Sequence, residues 1–208
     1  MKEDSIFSRN PRGTTEVFKK AKIGIAGCGG LGSNVAVALT RAGVEKFVLA
    51  DFDVVEKSNL NRQHFFLNHI GIPKVVALKE QLLKINSHLI CKSIHTKISE
   101  NNIGEAFGDC DVLVEAFDNA QEKVMLINYW RKNFPDKFII CGNGMGGFGN
   151  IEDIKIRKLG KLIIIGDEVN DMDKGLLSTR VGITALKQAD EVLRVLMENS
   201  IPEDPIFS

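Results

Sequence analysis

An α/β fold is predicted, with a doubly wound sheet whose parallel first half continues into a mixed sheet with antiparallel strands. Three observations predict it. First, a glycine-rich turn, GCGGLG (27–32), joins an apolar run to a helical period, and a second apolar run follows: the βαβ pattern. Second, apolar runs and helical periods alternate as far as residue 142. Third, two apolar runs separated by Gly160 precede a long amphipathic stretch, which reads as a hairpin or meander added to the sheet.

The elements follow in order. Residues 1–20 are polar, contain Pro11 and Gly13, and read as an N-terminal arm with one short helix over 14–20. Residues 21–208 read as a single domain, within the usual size of about 100–200 residues. KIGIAG (22–27) is a buried strand by its apolar, β-branched content. Leu31, Val35, Ala38, Leu39 and Ala42 recur at helical spacing over 30–43, and Gly43 ends that helix. KFVLAD (46–51) is the second strand. Pro73 suits the first turn of a helix over 73–86, where a missing N–H costs nothing. CKSIHT (91–96) is a weak strand, and Ser99 is placed to cap a short helix ending near Gly108. CDVLVEAF (110–117) is a strong strand, Asp118 to Lys132 a helix, and KFIICG (137–142) another strand. NGMGGFGN carries four glycines in eight residues and reads as a flexible turn. The runs at 151–159 and 161–167 are the antiparallel pair. Val181, Ala185, Ala189, Val192, Val195 and Leu196 share one face of a helix over 178–198.

Composition excludes several classes. Lys+Arg and Asp+Glu number 27 each, so no global basic field draws nucleic acid or an anionic membrane. No run approaches the roughly 20 apolar residues of a membrane span, and the N-terminus has no apolar signal core. A cytoplasmic location is expected. Cys28, Cys91, Cys110 and Cys141 form no C-x-x-C pair, so no zinc is expected and the thiols are read as free.

Gly27, Gly29 and Gly32 match G-x-G-x-x-G between a strand and a helix, with Gly30 a fourth glycine. This is the Rossmann-like fingerprint: a tight turn, backbone approach to phosphate, and close helix–strand packing. The helix N-terminus adds unpaired N–H groups that attract an anion. Asp51 ends the second strand 19 residues past Gly32, where such folds place the acid that binds a ribose. NAD is the default ligand at this stage.

The stretch DFDVVEKSNLNRQ (51–63) exceeds what NAD requires. Arg62 offers a planar fork of donors, Asn59 a neutral donor, and Lys74 a compact charge near a helix N-terminus. Together they resemble a triphosphate site, although each charge alone is more often solvated surface. Asp118 has two readings: a capping box with Gln121, or a magnesium ligand beside phosphates.

GCGGLG, DFDVVEKSNLNRQ, GIPK and DNAQEK together resemble the superfamily of ubiquitin-activating enzymes and their bacterial relatives ThiF and MoeB, above all the short ThiF-type proteins of thiamin biosynthesis. The resemblance spans roughly residues 20–150 and again GLLSTRVGITALKQADEVLRVL. It implies an ATP-binding adenylation domain that activates the C-terminal Gly-Gly carboxylate of a ubiquitin-like sulfur carrier, ThiS as first candidate, with Mg²⁺ and ATP. Carried over, Gly27, Gly29, Gly30 and Gly32 form the phosphate loop. Asp51 holds the ribose, with Asp53 and Ser58 beside it. Asn59, Arg62 and Lys74 serve the triphosphate, and Asp118, followed by Asn119, lies at the magnesium. The resemblance also implies a homodimer, in which Arg9 or Arg12 is the candidate to reach the partner's ATP site.

The sequence departs from many relatives. It lacks their paired C-x-x-C zinc motif, and no cysteine lies between Gly142 and Ser208 to receive the activated carrier. Adenylation alone is therefore expected, with sulfur supplied by another protein. NGMGGFGN is a candidate wall for a thin Gly-Gly tail. The alternatives are an NAD-dependent oxidoreductase, an enzyme like tRNA threonylcarbamoyladenosine dehydratase, and a non-enzymatic scaffold. The set Asp51, Asn59, Arg62, Lys74 and Asp118 weighs against the last.

Overall fold

The computed structural model describes residues 6–170 and 172–200. Seven strands form one sheet: β1 (Lys22–Ala26), β2 (Lys46–Ala50), β3 (Ile90–Ile94), β4 (Val112–Glu115), β5 (Phe138–Gly142), β6 (Lys155–Leu159) and β7 (Leu162–Gly166). Their spatial order is β3-β2-β1-β4-β5-β7-β6. Every pairing is parallel except β6 with β7. This is the predicted Rossmann-like doubly wound sheet with an antiparallel addition.

The order of the last two strands follows from their composition. LIIIG of β7 is almost wholly buried, whereas KIRKL of β6 is exposed throughout. The apolar strand takes the inner place beside β5, and the charged strand forms the edge, where charge discourages pairing with other chains. The chain therefore runs out to the edge before turning back at Gly160.

The helices are α1 (Thr14–Lys20), α2 (Gly30–Ala42), α3 (Lys74–Ile85), α4 (Ile103–Phe107), α5 (Ala120–Asn133) and α6 (Ser178–Ser200). One apolar layer lies between the sheet and α2, α3 and α6, with Ile23, Ile25, Val35, Leu39, Leu78 and Val192 buried in it. A second holds Phe107, Leu113, Leu126 and Trp130 beneath α4 and α5. The predicted face of α6 is the buried one, and it packs chiefly on α2. Helix α1 rests on α6, and its Phe18 joins the first layer.

Three local expectations are corrected. Ser99 does not cap α4; its own N–H donates to Asn102 Oδ1 at 2.9 Å, and Asn102 occupies the N-cap position. Asp118 does not cap α5; that role belongs to Asn119, whose Oδ1 accepts from the N–H groups of Gln121 and Glu122 at 2.9 and 3.1 Å. Pro73 precedes α3 instead of opening it, because its ψ of 132° is extended.

β1 pairs with β2 on one side and β4 on the other, so the strand order reverses at β1. A doubly wound sheet opens a crevice at such a point, beyond the carboxyl ends of the strands. Two glycines shape it. Gly27 adopts φ of 94°, open mainly to glycine. A Cβ on Gly32 would lie 1.8 Å from the Gly27 carbonyl oxygen, so only glycine lets α2 start this close to β1.

Candidate nucleotide-binding site

A cavity of about 340 Å³ occupies that crevice. Gly27, Gly29, Gly30, Asp51, Asp53, Arg62, Lys74 and Asp118 all line it. Segments separated by up to 91 positions in the chain thus meet at one place. The loop supplies the floor and the second strand supplies the acid. The segment after β2 supplies Arg62, the first residue of α3 is Lys74, and Asp118 follows β4.

Asp51 ties the second strand to the loop. Its Oδ2 accepts from the Cys28 N–H at 2.6 Å and its Oδ1 from the Asp53 N–H at 2.8 Å. Burial pushes its carboxyl above the ordinary value, opposed by Lys74 and these two N–H groups. Each oxygen keeps a lone pair for a ligand hydroxyl. Lys74 Nζ lies 2.6 Å from Asp53 Oδ2, and the Lys74 side chain is buried. The pairing of Val54 with Pro73 brings these two segments together.

Arg62 is half-buried. Its Nη1 donates to the Ser58 carbonyl at 3.0 Å and to Asn61 Oδ1 at 2.8 Å. Its own carbonyl accepts from Asn34 Nδ2 of α2 at 3.0 Å, which anchors this segment against the glycine loop. Its Nε and Nη2 make no hydrogen bond or ion pair among the described residues.

Four residues grouped with the site by sequence stand outside the lining. Gly32 packs helix on strand, as described. Ser58 is exposed, with Oγ directed to Glu56 Oε2 at 3.3 Å. Asn59 is buried, and its Oδ1 accepts from the Glu56 N–H at 3.0 Å, closing the short 3₁₀ turn Lys57–Asn59. It shapes the segment that presents Arg62 and is not among the residues lining the cavity. Asn119 is occupied as the cap of α5. Arg9 and Arg12 are exposed and away from the cavity.

Asp118 is exposed on the cavity rim, and its carboxylate makes no hydrogen bond or ion pair among the described residues. A carboxylate beside a phosphate-sized space suits Mg²⁺, which commonly takes one or two carboxylates plus phosphate oxygens. Cys28, Cys91, Cys110 and Cys141 are all buried and free. Burial pushes the thiols up, to about 11 at Cys91 and about 12 at Cys110.

Sequence reasoning missed several lining groups. Lys123 of α5 spends its protons on both Glu115 oxygens and on the Gly142 carbonyl, each at 2.9 Å. Glu115 is fully buried; burial raises its carboxyl, against the pull of Lys123. The available signal was a carboxylate inside the apolar run CDVLVEAF, since buried acids require a partner. Gln63 also lines the cavity.

The glycine-rich stretch after β5 is a paired wall and not a free turn. Gly146 N–H donates to the Asn170 carbonyl at 3.0 Å, and Gly147 N–H to the Gly175 carbonyl at 2.8 Å. Asp167 braces the wall: Val169 N–H, Asn170 N–H and Nδ2, and Arg180 Nη2 all donate to it at 2.6–3.0 Å. Asn143, Gly144 and Met145 face the cavity from this wall.

No helix among the described residues is long and apolar enough to cross a membrane. The ThiF family profile matches residues 5–206. The molybdopterin-synthase adenylyltransferase of Haemophilus influenzae is 29% identical over 191 residues, 88% of this chain and 77% of that protein. The tRNA threonylcarbamoyladenosine dehydratase of Escherichia coli is 29% identical over 151 residues, 71% of this chain, which spans only 55% of that protein's length. The solved structure of E. coli TcdA, a tRNA N6-threonylcarbamoyladenosine dehydratase in complex with ATP, superposes with a TM-score of 0.83. It is 20% identical and covers 91% of this chain and 90% of its own, a likeness of fold. Family and relatives support an adenylyltransferase enzyme and an ATP site. With the reversal of strand order, the glycine loop at it and a match over nearly the whole sequence, the chain belongs to the ThiF family.

Proposed function

We propose that this chain uses Mg·ATP to adenylate the C-terminal Gly-Gly carboxylate of a small ubiquitin-like sulfur carrier, ThiS-like, in thiazole formation for thiamin. The observation that carries this reading is the convergence of Arg62, Lys74 and the glycine loop at one cavity, opposite a wall of Asn143, Gly144 and Met145. Two cations and a helix N-terminus suit a triphosphate better than a dinucleotide hydride carrier, and family membership favours ATP over the NAD reading.

The residues divide the work. Asp51 accepts ribose hydroxyls while holding the loop through the Cys28 N–H. Gly29 and Gly30 let the backbone approach the phosphates. Arg62 and Lys74 neutralise charge on the β- and γ-phosphates, with Asp53 orienting Lys74. Asp118 would hold Mg²⁺, which when bound offsets the charge developing on pyrophosphate. The substrate carboxylate needs no general base, being ionised near neutral pH. Its oxygen bonds to the α-phosphorus, the bond to the bridging oxygen breaks, and pyrophosphate leaves with that oxygen's electron pair. The enzyme's contribution is alignment and fixed charge.

The test is pyrophosphate exchange. Labelled pyrophosphate should enter ATP when a Gly-Gly-terminated ThiS is present, and exchange with none of a panel of such carriers would refute the reading. A second reading rests on the E. coli dehydratase relative: the activated group is a small carboxylate on a tRNA nucleoside. Exchange driven by threonylcarbamoyladenosine-bearing tRNA, and not by carrier, selects it. Sedimentation at micromolar concentration tests the homodimer, in which Arg9 or Arg12 would serve the partner's site.

A further inference from the structure

Among the described residues, five buried side-chain polar atoms have no hydrogen-bond partner. Only one, Gln63 Oε1, belongs to a residue lining the cavity. Gln63 is 9% exposed, so water satisfies that oxygen poorly. Its main chain is held on both sides: its N–H donates to the Asn59 carbonyl at 2.9 Å, and its carbonyl accepts from the Phe65 N–H at 2.8 Å. Its amide lies against the phosphate loop, with Nε2 the nearest atom, at 3.6 Å, to where a Cβ of Gly29 would stand.

An acceptor in this position is chemically selective. Arg62, Lys74 and the loop N–H groups are donors suited to phosphate oxygens, which at neutral pH are acceptors and leave Oε1 unmatched. The ribose has its own acceptor in Asp51, anchored to the same loop. Two donors remain in an adenylation complex: the adenine amino group, held on the opposite side of the ribose from the phosphates, and the group being activated, whose carboxylate must meet the α-phosphate beside the loop against which Gln63 lies. A C-terminal glycine carries its N–H one carbon away from the attacking carboxylate, so a bond to that N–H fixes the carboxylate's direction.

We propose that Gln63 is a specificity residue for the activated substrate, its side-chain carbonyl accepting the backbone N–H of the substrate's C-terminal glycine. This rests on the proposed function and names what that site reads besides the carboxylate. A site that bonds a substrate N–H strongly rejects an analogue lacking it, because its buried acceptor is then left unpaired.

The test uses the full chain with two probes: purified ThiS ending in Gly-Gly, and semisynthetic ThiS ending in Gly-sarcosine, whose N-methyl group removes that N–H. Pyrophosphate exchange gives kcat/KM, and calorimetry gives the ATP Kd. For the wild type, the sarcosine probe should lose about 10- to 100-fold in kcat/KM, the size of one buried hydrogen bond. Gln63→Leu should lose a similar factor on normal ThiS, no further on the sarcosine probe, and bind ATP within about twofold of wild type, since one interaction is removed only once. Equal use of both probes by the wild type overturns the inference, and this arm needs no variant to fold. So does a Gln63→Leu loss that multiplies with the sarcosine loss, or one that falls on ATP affinity. Absence of exchange with normal ThiS in the wild type refutes the ThiS reading and the inference with it, whereas exchange with indifference to the probe refutes the inference alone.

Discussion

Arg62→Ala separates chemistry from architecture at the proposed triphosphate site. Its guanidinium donates through Nη1 to two neutral oxygens, at 3.0 and 2.8 Å, and makes no ion pair among the described residues. A typical net hydrogen bond contributes about 0.5–1.5 kcal/mol, and half-exposed ones lie at the low end. Both accepting oxygens, on Ser58 and Asn61, are exposed and regain water. The variant should therefore lose less than about 1 kcal/mol of unfolding free energy. Its catalytic cost differs in kind. A preorganised donor aimed at developing charge is typically worth about 10²–10³ in rate, or about 2.7–4 kcal/mol. Pyrophosphate exchange at saturating carrier gives the rate, and urea unfolding followed by the far-ultraviolet signal gives stability. An exchange rate within fivefold of wild type would refute the assignment of Arg62 to the phosphates. A stability loss as large as the activity loss would refute the claim that its role is not structural.

Asn59→Ala should show the opposite pattern: about 0.5–2 kcal/mol lost in urea unfolding, as for other capping residues, with a smaller change in ATP Kd than Arg62→Ala produces. Asp167→Asn should destabilise by roughly 3–5 kcal/mol at pH 7, because it leaves Arg180 buried beside a neutral group. Burial pushes Asp167 up, but the donors on Asn170 and Val169 and the charge of Arg180 outweigh it, so its carboxyl sits below the ordinary 3.8. Its contribution is complete above that value and is lost as pH falls through the lower folded value, so the gap between wild type and variant should close in acid. The cysteines give a fourth check. With burial holding Cys91 near 11 and Cys110 near 12, a thiol reagent at pH 8 should label none in the folded protein and all four in denaturant. Rapid native labelling would contradict the packing of the sheet faces.

Much of the fold was legible because local chemistry and final environment agree. KIGIA, KFVLA, VLVE and FIICG are apolar and end up buried, so composition alone marks them as strands. The glycine loop announces itself because a left-handed turn at Gly27 and a close approach at Gly32 admit little else. The site was only partly legible. Asp51, Arg62, Lys74 and Asp118 do converge: Asp51 and Asp118 follow the parallel strands β2 and β4, Lys74 opens α3, and the turn that carries Arg62 is anchored to α2. Asn59 was legible only in part: its Oδ1 closes a short turn on the Glu56 N–H, a local bond that residue type alone does not announce.

The sequence by itself determined the class of fold, the strand and helix inventory and the glycine loop that opens the first sheet-packed helix, all of which depend on residue type and short-range spacing. Only the tertiary structure decided that β7 lies inside β6, that the glycine-rich stretch is a braced wall, that Lys123 is spent on Glu115, and that Gln63, a residue lining the cavity, keeps a buried oxygen unpaired among the described residues. The reason is physical. A residue's type states what its side chain is able to bond, whereas the partner it meets, or lacks, is set by which distant segments the packed sheet brings within three ångströms of it.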